Sequence, residues 1–424
     1  MTHQSRILGF TFRCIMIATL PVVFLAGLSS LLTSSFLDPS FGTEGIVTTG
    51  VGGNVYGASM VLQPDGKIVV AGGSGIVRYT MTGTLDSSFG TQGVALATTG
   101  KIARQSDGKF VVVGSQPVVL DFYMMWLGRY TITGTEDTEF GTNGVVTTVV
   151  GWSSMASSVV VQPDGKIVVA GGTGWRSSKI AIVRYNSNGS LDMNFGVSGT
   201  LVIDLGRYDY ATALTLQPDG KIVAAGNSSE RMVVVRSTVS GTLDTSFNST
   251  GIVTTSLPGS YPRIWAVALQ SSGKIVAVGE DGASEDNTLL ARYTTTGTLD
   301  TGFGVGGIVT TSIDSGTDRA TSVAVQSDDK IVIGGVGYDG NRPNFAAARY
   351  LPSGSLDAGF GSGGIVTSSI GLSESTGSSV AVQPDGKVLL AGYSSNDDIK
   401  HDLAVVRYVA SIYTSFVYLP VVLK

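Results

Sequence analysis

Residues 158–171 read Ser-Val-Val-Val-Gln-Pro-Asp-Gly-Lys-Ile-Val-Val-Ala-Gly. Two β-branched runs flank Pro163-Asp164-Gly165. Proline presets φ at the first corner of a turn and glycine accepts positive φ at its end, so the stretch predicts a tight β-hairpin. Neither run alternates apolar with polar, so both faces of the hairpin must be covered. Two more strand signals flank it, Gly144–Thr148 upstream and Ile180–Tyr185 downstream, giving four strands A to D in the order of the chain.

The same string returns along the chain. Units open near Leu37, Leu85, Glu136, Leu191, Leu243, Leu299 and Leu356. Each opens with an Asp and a Phe three residues later, from Asp38/Phe41 to Asp357/Phe360, and successive Asp positions lie 48 to 57 residues apart. A four-stranded sheet of this size cannot cover both its faces alone. Stacking one sheet on the next around a ring covers both and leaves only short edges. The expectation is an all-β protein, a seven-bladed β-propeller of four-stranded antiparallel blades over residues 37–411, each blade formed by one unit. A β-helix has a far shorter period.

The units share a vocabulary. The L-D-x-x-F-G-x-x-G-I-V opening, the Q-P-D-G-K-I-V-V-A-G centre and the A-R-Y-x-x-x-G-x-L-D junction resemble the delta-60 repeat family, a β-propeller repeat of bacterial secreted and surface proteins. The resemblance runs from about Leu37 to Tyr408. It implies a propeller fold and an extracellular address, and it brings no catalytic residues to transfer. Some units depart from the pattern: the second is short before its hairpin, the fourth has Ser237 for Tyr, the fifth has Ser272-Gly273 in its turn and Asn248 after its Phe, and the sixth has Asp328-Asp329.

The ends differ from the repeats. Arg6 and Arg13 precede an apolar run from Cys14 to Leu28, followed by serines. That order is the pattern of an export signal, and residues 1–36 are read as a signal peptide, with an uncleaved membrane anchor helix as the alternative. At the other end Ile412-Tyr413-Thr414-Ser415-Phe416 aligns with Leu243-Asp244-Thr245-Ser246-Phe247. Residues 412–424 are therefore expected to add one strand that joins the first blade and helps close the ring.

Composition narrows the function. Beyond residue 36 there remain 25 basic and 32 acidic side chains, a net charge of about −7. Phosphate binding needs a basic surface, so nucleic acid is not an expected partner. The single cysteine, Cys14, lies in the leader, which excludes disulfides and cysteine chemistry from the mature chain. The histidines are His3 and His401, too few for a zinc site built on several histidines. A Ser-His-Asp triad would have to use His401, and no G-x-S-x-G elbow accompanies it.

Strand alternation sends the AB and CD loops to one face of the ring and the repetitive BC turns and D-to-A junctions to the other. The recurring Gln, Lys and Arg, such as Gln162, Lys166 and Arg184, lie on the repetitive side and are read as architecture, with Arg pairing to the Asp of the next unit. Function belongs on variable loops held by a regular frame. Trp152, Trp175, Tyr208, Tyr210, Tyr261, Trp265, Tyr338 and Tyr393 fall there and are the candidate ligand-binding residues, with Tyr56, Arg176, Arg207, Arg263, Arg319 and Arg342 nearby. Aromatics beside polar groups suit stacking on sugar rings or packing on a protein. Trp126 aligns inside a strand and is read as core. Asp281, Glu285 and Asp286, and Asp397 with Asp398, form oxygen-rich loops of the kind that hold Ca²⁺. Their spacing does not match an EF-hand, so solvated acidic loops are the plainer expectation, and no cofactor is required. The functional expectation is an exported, non-catalytic binding or scaffold module at the cell surface or secreted, with a glycan or a surface protein as partner and membrane contact only through an uncleaved N-terminus. The alternative is a secreted polysaccharide hydrolase or lyase using paired carboxylates from Glu280, Asp281, Asp314 or Asp318 across the channel mouth.

Overall fold

The computed structural model describes residues 36–411 except 99, 120–121, 175–177, 284–285 and 398. The expected leader and tail segments lie outside the described residues. The described chain forms seven four-stranded antiparallel sheets. In the third, Ser154–Val161 is innermost, followed by Ile167–Thr173, Lys179–Tyr185 and, at the rim, Thr200–Ile203. Val169 faces Val183 across the central pair, in the register the hairpin dictates. The turn at Gln162–Lys166 closes by Gly165 N–H donating to the Gln162 carbonyl at 2.9 Å, with Gly165 at φ 84°.

One expectation is corrected. A blade is not one sequence unit but three strands of one unit and the first strand of the next. Val145–Thr148, the first strand of the third unit, is the rim strand of the second blade. The reason is connection length. The D-to-A junction is a tight turn in which Asp192 N–H donates to the Arg184 carbonyl at 2.9 Å, so strand A folds back on the strand before it. The longer A-to-B segment crosses from the rim to the axis of the next blade.

The same phase shift closes the ring. Ile46–Thr49, at the start of the first unit, pairs with His401–Tyr408 and completes the seventh blade. Asp38 comes with it and meets Arg407 at 2.8 Å, although without the hydrogen-bond angle the other blades keep. Seven apolar clusters fill the seven blade interfaces. One of them joins Ile68 and Val70 of the first blade to Leu389 and Val405 of the last.

Each blade carries one clamp. The Arg ending the third strand is only 5–7% exposed. Its Nε meets a carboxylate at 2.7–2.8 Å, the Asp eight residues on in six blades and Asp38 for Arg407 in the seventh. The Lys of the hairpin turn meets the same carboxylate at 2.7–3.3 Å. The guanidinium lies 4.4–4.9 Å from the ring centre of the conserved-spacing Phe. Its Nη1 donates to a turn carbonyl of the following blade, as Arg78 does to Ile132 at 2.6 Å and Arg407 to Met81 at 2.6 Å. The recurring Arg, Lys and Asp are thus architectural, and they join each blade to the next.

Two departures from the repeat compensate each other. Asp329 occupies the glycine position of the sixth turn at φ 62°. Its carboxylate accepts from the N–H and hydroxyl of Ser271, at 2.7 and 2.5 Å, where the fourth and seventh turns place Pro218 and Pro384. Proline would offer neither donor.

Arg349→Ala is expected to cost about 2–3 kcal/mol, because the partly buried Asp357 keeps only Lys330, at 3.3 Å, as its charged partner. The double variant Arg349→Ala, Asp357→Ala is expected to cost less than the sum of the singles in urea unfolding; additive costs would mean that the pair is not coupled. All seven clamp carboxylates titrate below the usual range. For Asp38, burial pushes upward but the bonds from Lys387 and Ser40 and the charge of Arg407 outweigh it and hold the pKa at about 2. A pKa depressed by folding contributes stability above the unfolded value of about 4 and loses it as pH falls toward the folded value. Stability is therefore expected to be flat above about pH 5 and to fall steeply between about pH 4 and 2, read by thermal melts across pH.

Candidate functional site

The innermost strand of each blade runs along the axis, and in five blades it carries a β-bulge at one repeated position. The ladder slips at Ser157, Thr212, Trp265, Thr321 and Ser378, each five residues before the turn Gln. A bulge leaves one residue outside the ladder and re-aims its side chain. These five line a channel-mouth cavity of about 600 Å³, joined at the same repeat position by Ala58 and Gly100 of the two blades without a bulge. One position per blade thus sets the chemistry of the channel wall. Thr212 and Thr321 donate to backbone carbonyls of the following blade, Ile264 at 2.8 Å and Gly377 at 3.0 Å.

The structure brings Tyr56, Tyr210 and Trp265 onto this one cavity. Tyr56 is 73% exposed. Trp265 is half-buried, its indole N–H has no partner among the described residues, and the Arg319 guanidinium lies 5.6 Å from its ring centre. Tyr393 reaches the group indirectly, since Tyr56 and Tyr393 each pack on His401 with ring centres 5.2 Å apart. Trp152, Tyr208 and Tyr261 are exposed on loops, and Trp152 packs edge-on against Phe122 at 6.1 Å. Tyr338 is held inside its own hairpin by donating to the Asn341 carbonyl at 3.0 Å. Trp175 and Arg176 lie outside the described residues. Trp126 is buried in the cluster between the first and second blades, and Gly128 makes room for it: a Cβ there would come within 2.4 Å of the indole.

The candidate carboxylates are engaged in local structure. Glu280 is buried and pairs with Arg319, and with Arg263 at 3.8 Å. Asp318 is fully buried; its Oδ2 accepts from the N–H groups of Ile313 and Asp314 at 2.6 and 3.1 Å. Burial pushes its pKa up against those bonds. Asp314 accepts from Ser315 N–H at 2.9 Å. Asp281 accepts from Ala283 and Asn287 N–H at 3.2 and 3.1 Å, and burial beside Glu280 and Asp281 pushes Asp286 up. Asp397 accepts from Ile399 and Lys400 N–H at 3.1 and 2.9 Å. Glu285 and Asp398 lie outside the described residues. Among the described residues no group of three or more His, Cys, Asp or Glu side chains is gathered as a metal site.

Two features escaped the sequence reading. Glu374 bonds His401 Nε2, and the pair sits under Tyr56. The other is Lys101, the only charged side chain among the described residues lining the channel cavity. The shortness of the second unit ahead of its hairpin is the one signal that pointed to it.

Comparison with known proteins agrees with the architecture. A family model described as "Domain of unknown function (DUF5122) beta-propeller" matches residues 63–89, 162–195, 217–247, 270–303, 326–360 and 383–410. These six segments are similar to a β-propeller repeat family. Solved structures share the fold at low identity. Virginiamycin B lyase from Staphylococcus aureus, crystallised as a catalytically inactive variant with quinupristin, superposes with a TM-score of 0.51 at 11% identity over 85% of this chain and 98% of that one. A streptogramin B lyase gives 0.50 at 13% identity over 85% and 96%. The polysaccharide lyase Uly1 gives 0.46 at 12% identity over 84% and 90%. A search of curated proteins finds no match.

Proposed function

We propose that this chain is an exported, non-catalytic propeller with delta-60-type repeats, and that it binds a glycan at the secreted or cell-surface face through the loop-side mouth of its channel. The observation that carries this reading is the convergence of Tyr56, Tyr210 and Trp265 on one cavity whose described lining holds no carboxylate. Flat rings around a polar wall fit the alternating apolar and hydroxyl faces of a sugar. A surface protein on the exposed Trp152, Tyr208 and Tyr261 is the other partner class this face supports. Ca²⁺ at the acidic loops is proposed only as an accessory to that face.

A second reading, a polysaccharide hydrolase or lyase, draws on one specific feature: the Glu374–His401 pair beside a cavity-lining tyrosine. A carboxylate-oriented imidazole is the arrangement that general acid–base chemistry uses. The neighbours' names alone do not carry it.

A thermal-shift screen of the protein against oligosaccharides, with and without Ca²⁺, tests the proposal. At least one glycan is expected to raise the melting temperature, and Trp265→Ala is expected to weaken its binding by about tenfold, about 1.4 kcal/mol. Cleavage of that glycan, lost in His401→Ala, would replace binding with catalysis. No shift with any glycan would leave the protein-partner reading.

A further inference from the structure

The innermost strand of the second blade, Lys101–Arg104, is short and regular, with no bulge. Counting back from the turn Gln, Lys101 stands where four blades place a serine: Ser59, Ser158, Ser322 and Ser379. Each of those serines accepts a backbone N–H from the next blade, as Ser158 does from Leu214 at 3.0 Å. In the second blade a different serine, Ser115 on the neighbouring strand, reaches the third blade by accepting from Ala156 N–H at 3.2 Å. Among the described residues the Lys101 side chain makes no hydrogen bond to another blade, and it lines the channel.

No ion pair to Lys101 is present among the described residues, whereas every clamp lysine meets a carboxylate. Its side chain is exposed to the channel but hemmed in by protein, and that lost hydration pushes the ammonium below the usual lysine pKa. An unpaired charge in such a place is costly unless an anion joins it. The bulged hydroxyls of Ser157 and Ser378 share the same wall. The aromatic rings beside them supply stacking.

We infer that the channel mouth is built for one anionic group on a sugar, with Lys101 taking the carboxylate of a uronic acid unit while Tyr56, Tyr210 or Trp265 stacks on its ring. This rests on the glycan reading and narrows it to acidic saccharides. The chain's own net charge of −5 argues for capture of one acid group in the channel rather than a long polyanion wrapped on the surface.

Isothermal titration of the protein with trigalacturonate and with the neutral galactose trisaccharide, at low and high salt, tests the inference. Trigalacturonate is expected to bind at least tenfold more tightly than the neutral sugar and to weaken with salt. Lys101→Met should lose that preference, and Lys101→Arg should keep most of it. Both variants should melt close to the parent protein, since among the described residues the Lys101 side chain makes no ion pair or hydrogen bond to a neighbouring blade. Equal affinity for the two sugars, or an unchanged preference in Lys101→Met, would overturn the role of Lys101 and leave the glycan reading standing. Binding of neither sugar would overturn the acidic-sugar inference, and the glycan reading would fall with it only if the oligosaccharide screen also gave no shift.

Discussion

A guanidinium buried at the end of each blade's third strand is the constraint on which the rest depends. Stripped of water, it needs charge and acceptors on every side, and each blade supplies them in the same way. A carboxylate eight residues on takes Nε, a phenylalanine ring covers the face, and a carbonyl of the following blade takes Nη1. The last of these contacts lies between blades, so the clamp fixes the angle from one blade to the next as well as the fold of each. Seven repetitions bring the chain back to its start, where Asp38 serves Arg407 as though the sequence were circular.

With one side of the ring committed to clamps, the other side is free to vary. The bulge at the repeated inner-strand position converts that freedom into a channel wall with one changeable residue per blade. Evolution can set Ser, Thr, Trp or nothing at that position without touching a clamp. The lysine in the second blade is the extreme case: a strand without a bulge carries a charge where four sister blades have a hydroxyl occupied in bonding.

The number of blades and their turns were readable from residues such as Pro163-Asp164-Gly165, because local backbone preferences decide a two-strand hairpin. The phase between repeat and blade was not. It depends on which neighbour Val145–Thr148 pairs with, and a strand of that kind carries no label for its partner. The aromatic residues of the site were legible as a set, but not which of them meet. Tyr56, Tyr210 and Trp265 come from three different blades, and a one-residue register slip aims Trp265 inward. Glu374 and His401 face each other from different strands, with no spacing signal. Lys101 read as a gap in a pattern rather than as a group in a channel.

A crystal structure of the protein with trigalacturonate is the most direct measurement of this division of labour. The account predicts density at the loop-side mouth of the channel, with a carboxylate on the Lys101 ammonium and a sugar ring against Tyr56, Tyr210 or Trp265. Density instead on the opposite face, over the turn lysines and clamp arginines, would contradict it.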